Sequence, residues 1–203
     1  MRLIVCCSQS WFKLSDTIYE HNTVKFLTKN SELNPEFVNY FNPDYIFYPH
    51  WNWAVKKEIH ERYDCIVFHT APLPYGRGGS PIQNLILDGF KHSPVCALKM
   101  TSRLDAGPVY ASINISLAGN LECIFRRISR AINHLIVKII TETLEPSEQV
   151  GEPHQFKRLS EKDNEIPAEL KLEEIYDRIR MVDHPDYPNA FIIYGDKKIE
   201  FSD

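Results

Sequence analysis

The apolar run Tyr63-Asp-Cys-Ile-Val-Phe68 ends on a histidine, His69, and is followed at once by Thr70-Ala-Pro-Leu-Pro-Tyr-Gly-Arg-Gly-Gly-Ser-Pro81. This ordering constrains the fold more than any other stretch. The run reads as a strand buried on both faces, and His69 sits where the strand stops and the backbone is first free to meet a ligand. Prolines, glycines and serines then fix a tight loop that a second group can approach closely. Pro81 opens Pro81-Ile-Gln-Asn-Leu-Ile-Leu-Asp88 as a helix, because its missing N–H is one that no helix start would use. Strand, histidine, small-residue loop and helix together form a unit able to carry an active site at its turn.

The rest of the chain repeats the alternation. Leu3–Cys7, Thr23–Leu27 and Asp44–Tyr48 read as strands, the first short, continuous and apolar, as in a parallel sheet covered on both faces. Asn34 caps a helix with Pro35 at its first position. A second helix is expected over Ala54–Glu61. Strands Pro94–Met100 and Gly107–Ile115 are joined by a connection so short that they must be antiparallel neighbours at one edge of the sheet. From Leu121 to Leu144 apolar residues recur at helical spacing, with a basic face at Arg126, Arg127 and Arg130 that reads first as solvated surface. Beyond a linker at 146–153 the chain turns polar, with an amphipathic helix over Leu172–Arg180 and a hairpin turning at Gly195-Asp-Lys197.

Bulk properties bound the class. At 203 residues with 43% hydrophobic content, the chain can bury a full core without disulfides. No apolar run approaches the roughly eighteen residues of a membrane span, and the first strand is too short for a signal peptide, so no membrane partner and a cytoplasmic location are expected. Cys6, Cys7, Cys65, Cys96 and Cys123 are odd in number and mostly inside apolar runs, as buried thiols are. No metal is implied. A formal charge of −4 gives no global basic face, so no nucleic-acid partner is expected on that ground.

The order strand, His69, Leu-Pro-x-x-Arg-Gly, Ser-Pro, helix, then Arg103-Leu-Asp-Ala-Gly-Pro-Val-Tyr110 resembles the folate-dependent formyltransferases. The likeness runs from about residue 44 to the end and is specific because the two loops occur together. It implies an α/β fold, with a Rossmann-like mostly parallel sheet and helices on both faces, plus a small C-terminal helix and β-hairpin. Residues 1–150 would be the catalytic domain and 151–203 the appendage. It also implies that a formyl group moves from N10-formyltetrahydrofolate, the co-substrate, to an amine, so the site must stabilise an oxyanion and manage a proton on the attacking nitrogen. His69 would donate to the oxyanion or lie beside it. Asp105 would orient the histidine and help carry the amine proton. Each has a plainer reading, His69 as a hydrogen-bonded structural residue and Asp105 as a turn former.

Tyr48, Trp51 and Trp53, with Leu104 and Gly107, would line the folate slot; ordinary loop packing explains the same aromatic cluster equally well. Arg77, Gly78 and Ser80 would meet the substrate, although Arg77 serves as readily to satisfy loop carbonyls. Relatives of this kind carry asparagine two positions before the histidine; here the position is Val67, which cannot donate. Asn52, Thr70 and Asn84 are candidate replacements, with Asn52 preferred.

Within the resemblance, the length, the acidic charge and the terminal hairpin favour a nucleotide-linked amino-deoxysugar of surface polysaccharide as acceptor and make tRNA improbable. An aminoacyl or peptide amine is the alternative, as is a catalytically inactive folate- or nucleotide-binding module, and a hydrolytic use of His69 and Asp105 is a further rival. The exposed hairpin could pair edge to edge in a homodimer.

Overall fold

The computed structural model describes residues 1–201. In chain order its strands are β1 (Arg2–Cys7), β2 (Thr23–Leu27), β3 (Tyr45–His50), β4 (Cys65–Thr70), β5 (Tyr75–Gly78), β6 (His92–Lys99), β7 (Val109–Ser116), β8 (His154–Phe156), β9 (Ala190–Tyr194) and β10 (Lys197–Phe201). The α-helices are α1 (Asp16–His21), α2 (Pro35–Phe41), α3 (Lys57–His60), α4 (Pro81–Leu87), α5 (Leu121–Thr141) and α6 (Leu172–Arg180).

Six strands form one sheet in the order β2-β1-β3-β4-β6-β7. The first four are parallel, and β6 and β7 close one edge antiparallel, as the short link between them requires. Alternation places the two faces in two cores. Leu3, Val5, Phe47 and Ile66 pack under α1, α4 and α5, while Ile4, Cys6, Ile46, Tyr48 and Cys65 pack under α2 and α3. The fold is therefore the expected Rossmann-like α/β sheet with helices on both faces. α5 supplies the largest single face, burying Leu121, Ile124, Phe125, Ile128, Ile132, Leu135, Ile136 and Ile139. Each such burial is worth about 1.5–3 kcal/mol, so this helix is held by its core stripe rather than by propensity. Asn120 caps it by accepting from Cys123 N, and Asn34 caps α2 by accepting from Phe37 N.

The strand order reverses at β1, with β2 on one side and β3 on the other. In open α/β sheets a crevice opens there, at the carboxyl ends of the strands. The loops leaving β1, β3 and β4 all emerge at that end, and the connection from β6 to β7 turns back to reach His69.

Two expectations are corrected. His69 is not at the strand's stop: β4 runs on to Thr70, and His69 pairs with Cys96 of β6. The helix expected over 54–61 is only Lys57–His60, because Trp51 and Trp53 pack edge to face, with ring centroids 4.8 Å apart, in an irregular aromatic loop ahead of it. A small parallel pair, β5 with β8, was not anticipated. It joins the His loop to the C-terminal tail.

Candidate active site

His69 lies on the floor of a cleft of about 580 Å³ whose wall also includes Tyr48 to Val55, Val67, Gly78 to Gln83 and the 98–105 stretch. The imidazole is only 7% exposed. Its Nε2 lies 2.7 Å from the Gly76 carbonyl, an acceptor, which places a proton on Nε2. Nδ1 faces Asp105 Oδ2 at 3.5 Å. The same Oδ2 accepts from Gly78 N at 3.0 Å, and among the described residues no group pairs with Asp105 Oδ1. The carboxylate is thus fixed on one side by the His loop and open on the other.

The backbone has unusual conformations here. Asp105 has φ +49°, Gly76 +86° and Gly78 +100°. A Cβ on Gly76 would come within 2.5 Å of the Phe156 ring, and one on Gly107 would collide with the Lys99 carbonyl. These glycines permit close approach between loop and tail and between the Asp loop and β6.

Arg77 lies outside the cleft wall. Its Nε and Nη2 donate to Gln149 Oε1 at 3.0 and 2.7 Å, and Gln149 Nε2 donates in turn to the carbonyls of Asp105 and Gly107 at 2.9 and 2.8 Å. Arg77 therefore holds the Asp105 loop through an intermediary. Gly78 and Ser80 border the cleft, but the Ser80 hydroxyl accepts from Leu159 N at 3.1 Å, so that oxygen is engaged by the tail.

On the opposite side, Tyr48 is buried, with its hydroxyl beside Cys65 Sγ at 3.7 Å; it forms the base of the slot rather than a free wall. Trp51, Trp53, Asn52 and Leu104 border the cleft, with Trp53 and Leu104 exposed at its lip. The Trp51 indole N–H is the one buried side-chain polar atom without a partner among the described residues. An unsatisfied donor in an aromatic slot suits a flat heterocycle with ring acceptors, and on that observation the residues fit a folate.

The candidate donors for the Val67 position separate. Asn84 is committed: its Nδ2 donates to the carbonyls of Gly79, Ser80 and Lys157. Thr70 is buried on the cleft wall, and Asn52 is exposed there.

Several cleft residues escaped the sequence reading: Trp11, Phe125, Arg158 and Tyr187, while His50 lies within the 48–53 loop expected at the folate slot. Trp11 stacks on Phe125, centroids 4.9 Å apart. Desolvation, helped by the positive charge of Arg158, pushes the His50 imidazole down to about 4, and burial raises the Tyr187 phenol. The family likeness ran through Arg158 to the end of the chain without indicating that the tail reached the site. Nothing local marked Trp11, whose place depends on α5.

Residues 161–203 match the family model for the methionyl-tRNA formyltransferase C-terminal domain. A methionyl-tRNA formyltransferase from Clostridium thermocellum is 39% identical, with a TM-score of 0.93, across all of this chain and 92% of that one. A methionyl-tRNA formyltransferase from Caldicellulosiruptor saccharolyticus is 27% identical over 181 residues, 85% of this chain and 57% of the relative; the chain spans less than two thirds of the length of the curated relatives it matches. A 4-N formyltransferase from Francisella tularensis, at 15% identity and TM-score 0.76 over 99% of this chain and 96% of that one, shares the fold.

These findings overturn the amino-sugar acceptor and the exclusion of nucleic acid. The tail, whose helix and hairpin were expected to fit an amino-sugar acceptor better, matches the methionyl-tRNA formyltransferase C-terminal domain, and a chain of similar length carries the tRNA name. Net charge misled because it averages the whole surface and says nothing about where the cations sit. The chain belongs to the formyltransferase family.

Proposed function

We propose that the protein transfers a formyl group from N10-formyltetrahydrofolate to the α-amino group of methionyl-tRNA. The acceptor is supported above all by one observation, the 39% identity to a methionyl-tRNA formyltransferase that runs the whole length of this chain. The chemistry is supported by the buried His69–Asp105 pair on the floor of an aromatic-lined cleft.

The folate supplies the formyl group. Trp51, Trp53 and Leu104 would hold its ring, with the Trp51 N–H donating to a ring acceptor. Asp105 presents its open Oδ1 to the attacking amine and takes part in moving its proton. His69 keeps that carboxylate in place and, when Nδ1 also carries a proton, balances its charge. Residues 1–150 form the reacting unit on this reading, and 151–203 close the acceptor side, since Arg158 and Tyr187 border the cleft. The compartment would be the cytoplasm, where charged tRNA and free thiols coexist.

The test is formylation of methionyl-tRNA with N10-formyltetrahydrofolate, read by the mobility of the aminoacyl-tRNA or by released tetrahydrofolate. His69→Ala and Asp105→Ala should each lower turnover by about 10²–10⁴-fold while leaving the unfolding transition near that of the wild type. Unchanged rates in both variants, or folate binding with no transfer by the wild type, would sink this function.

A further inference from the structure

We propose that Trp11, Phe125 and Tyr187 form the subsite for the acceptor's own side chain, the methionyl thioether, and that His184 holds these three rings in place. The assignment rests on the formyl-transfer reading above and deepens it, because it concerns the part of the acceptor that the reacting pair does not touch.

The cleft straddles the carboxyl edge of the sheet, since residues from both faces border it. Val67, Trp51 and Met100 pack with the core under α2 and α3, whereas Trp11, Phe68, Phe125 and Tyr187 pack with the core under α1, α4 and α5. The first wall carries the open Trp51 N–H and suits the flat folate ring. The second offers aromatic rings backed by Ile128 and Ile132. Phe68 belongs to this second wall, and the next residue, His69, points to the other face. The reacting pair and the second wall are therefore neighbours across the edge of β4.

The rings are closely set. Trp11 stacks on Phe125 with centroids 4.9 Å apart and planes 11° from parallel, and Tyr187 tilts against Phe125 at 6.0 Å. Phe125 is buried, while Trp11 and Tyr187 are partly exposed. Such a wall suits an unbranched, polarisable thioether, whose sulfur packs favourably about 5 Å from an aromatic ring. A charged side chain there would lose its hydration without gaining a partner.

His184 explains why the rings stay together. Its side chain is 6% exposed and stands edge-on to Phe125 at 5.2 Å and to Tyr187 at 6.0 Å. Nδ1 accepts from Asp186 N at 3.1 Å, so the proton of the neutral ring lies on Nε2, which faces Glu122 Oε2 at 3.5 Å. Asp186 Oδ2 accepts in turn from the Ser10 hydroxyl at 3.2 Å, one residue before Trp11. One imidazole thus ties the tail to the start of α5, and through Asp186 to the loop after β1, the three segments that supply the rings. It is a positioning residue and touches no substrate itself.

The first test charges one tRNA with methionine or with alanine and compares kcat/KM. The wild type should favour methionyl-tRNA by about tenfold or more, as a filled hydrophobic subsite does. Trp11→Ala should bring that ratio within about threefold, chiefly by raising KM for methionyl-tRNA, while folate affinity holds. His184→Ala should lower the ratio likewise, and His184→Asn, whose side-chain oxygen still accepts from Asp186 N, should restore most of it. A merely structural histidine would lower the unfolding midpoint and leave the ratio alone. The second test needs no turnover: methionyl-tRNA with an isotope-labelled methionine methyl group is titrated with protein in the absence of folate and followed by NMR. Ring currents should move the bound methyl signal upfield, and Trp11→Ala should abolish the move. A wild-type ratio in Trp11→Ala, or an unshifted methyl signal at saturating protein, overturns the subsite, and a wild-type ratio in His184→Ala overturns the role of His184. A shifted methyl signal without formyl transfer would overturn the reaction of the preceding section and leave the subsite standing.

Discussion

A neutral histidine in a cleft is a cost to the fold whenever the surrounding pH would charge it, and His50 is such a group. Its ring titrates near 4 in the folded protein and near 6.5 when the chain is unfolded. Between those values the unfolded state binds a proton that the native state refuses, so this residue removes stability as pH falls from about 6.5 to about 4 and has no effect above that window. Carboxylates held low by their partners, such as Asp163 beside Lys157, also lose stability on acidification, so the comparison must be internal. The urea midpoint of His50→Gln should gain on that of the wild type as pH drops through this window. A constant gap would mean that His50 is not held neutral. At this scale the sequence was readable where two signals coincided, since His69 and Asp105 lie in paired loops. Trp11 and Tyr187 were not readable, because each enters the cleft only through tertiary contacts, as when Trp11 meets Phe125 of α5.

Between β5 and the Asp105 loop, the fork from Arg77 through Gln149 joins three segments that are far apart in the chain. It satisfies two loop carbonyls beside a residue at positive φ, so the loop's shape depends on a side chain from the linker. Gln149→Ala removes that bridge. The expected result is a loss of about 1–2 kcal/mol in stability, with a larger effect on turnover than on folate affinity, since Asp105 loses its support while the aromatic slot is untouched. Equal turnover in the variant would show that Gly78 N alone holds the carboxylate. The linker's role could not be foreseen from a stretch that reads as polar spacer. Elements with long, periodic patterns were read well: α5 and α6 begin where expected, and the β6–β7 pair is antiparallel as its short link demanded. Residues 54–56 were misread as helix because Ala54 and Val55 continue an apolar pattern that Trp51 and Trp53 redirect. β5 and β8 are too short for any period to register.

For the molecule as a whole, the question is whether the tail is a separate module or part of one cooperative unit. Three ties argue for the second. β8 pairs with β5, Gln83 Nε2 donates to the Met181 carbonyl at 3.2 Å, and Arg180 reaches from α6 to the carbonyls of Leu117 and Gly119 at the turn from β7 to α5. Arg180 is 5% exposed and pairs with Asp177 at 2.6 Å. Removing its charge leaves two carbonyls unpaired in a partly buried place and leaves Asp177, among the described residues, with only Lys91, 4.0 Å away. Arg180→Met should therefore cost about 3 kcal/mol, more than a surface ion pair would. Because Tyr187 and Arg158 border the cleft, the same change should weaken acceptor binding while folate binding holds. Wild-type unfolding, followed by the fluorescence of Trp11, Trp51 and Trp53, should be a single transition that this variant shifts as a whole. If a first phase instead releases the tail and leaves the tryptophan signal intact, the two parts fold independently and the cleft does not need the tail to form.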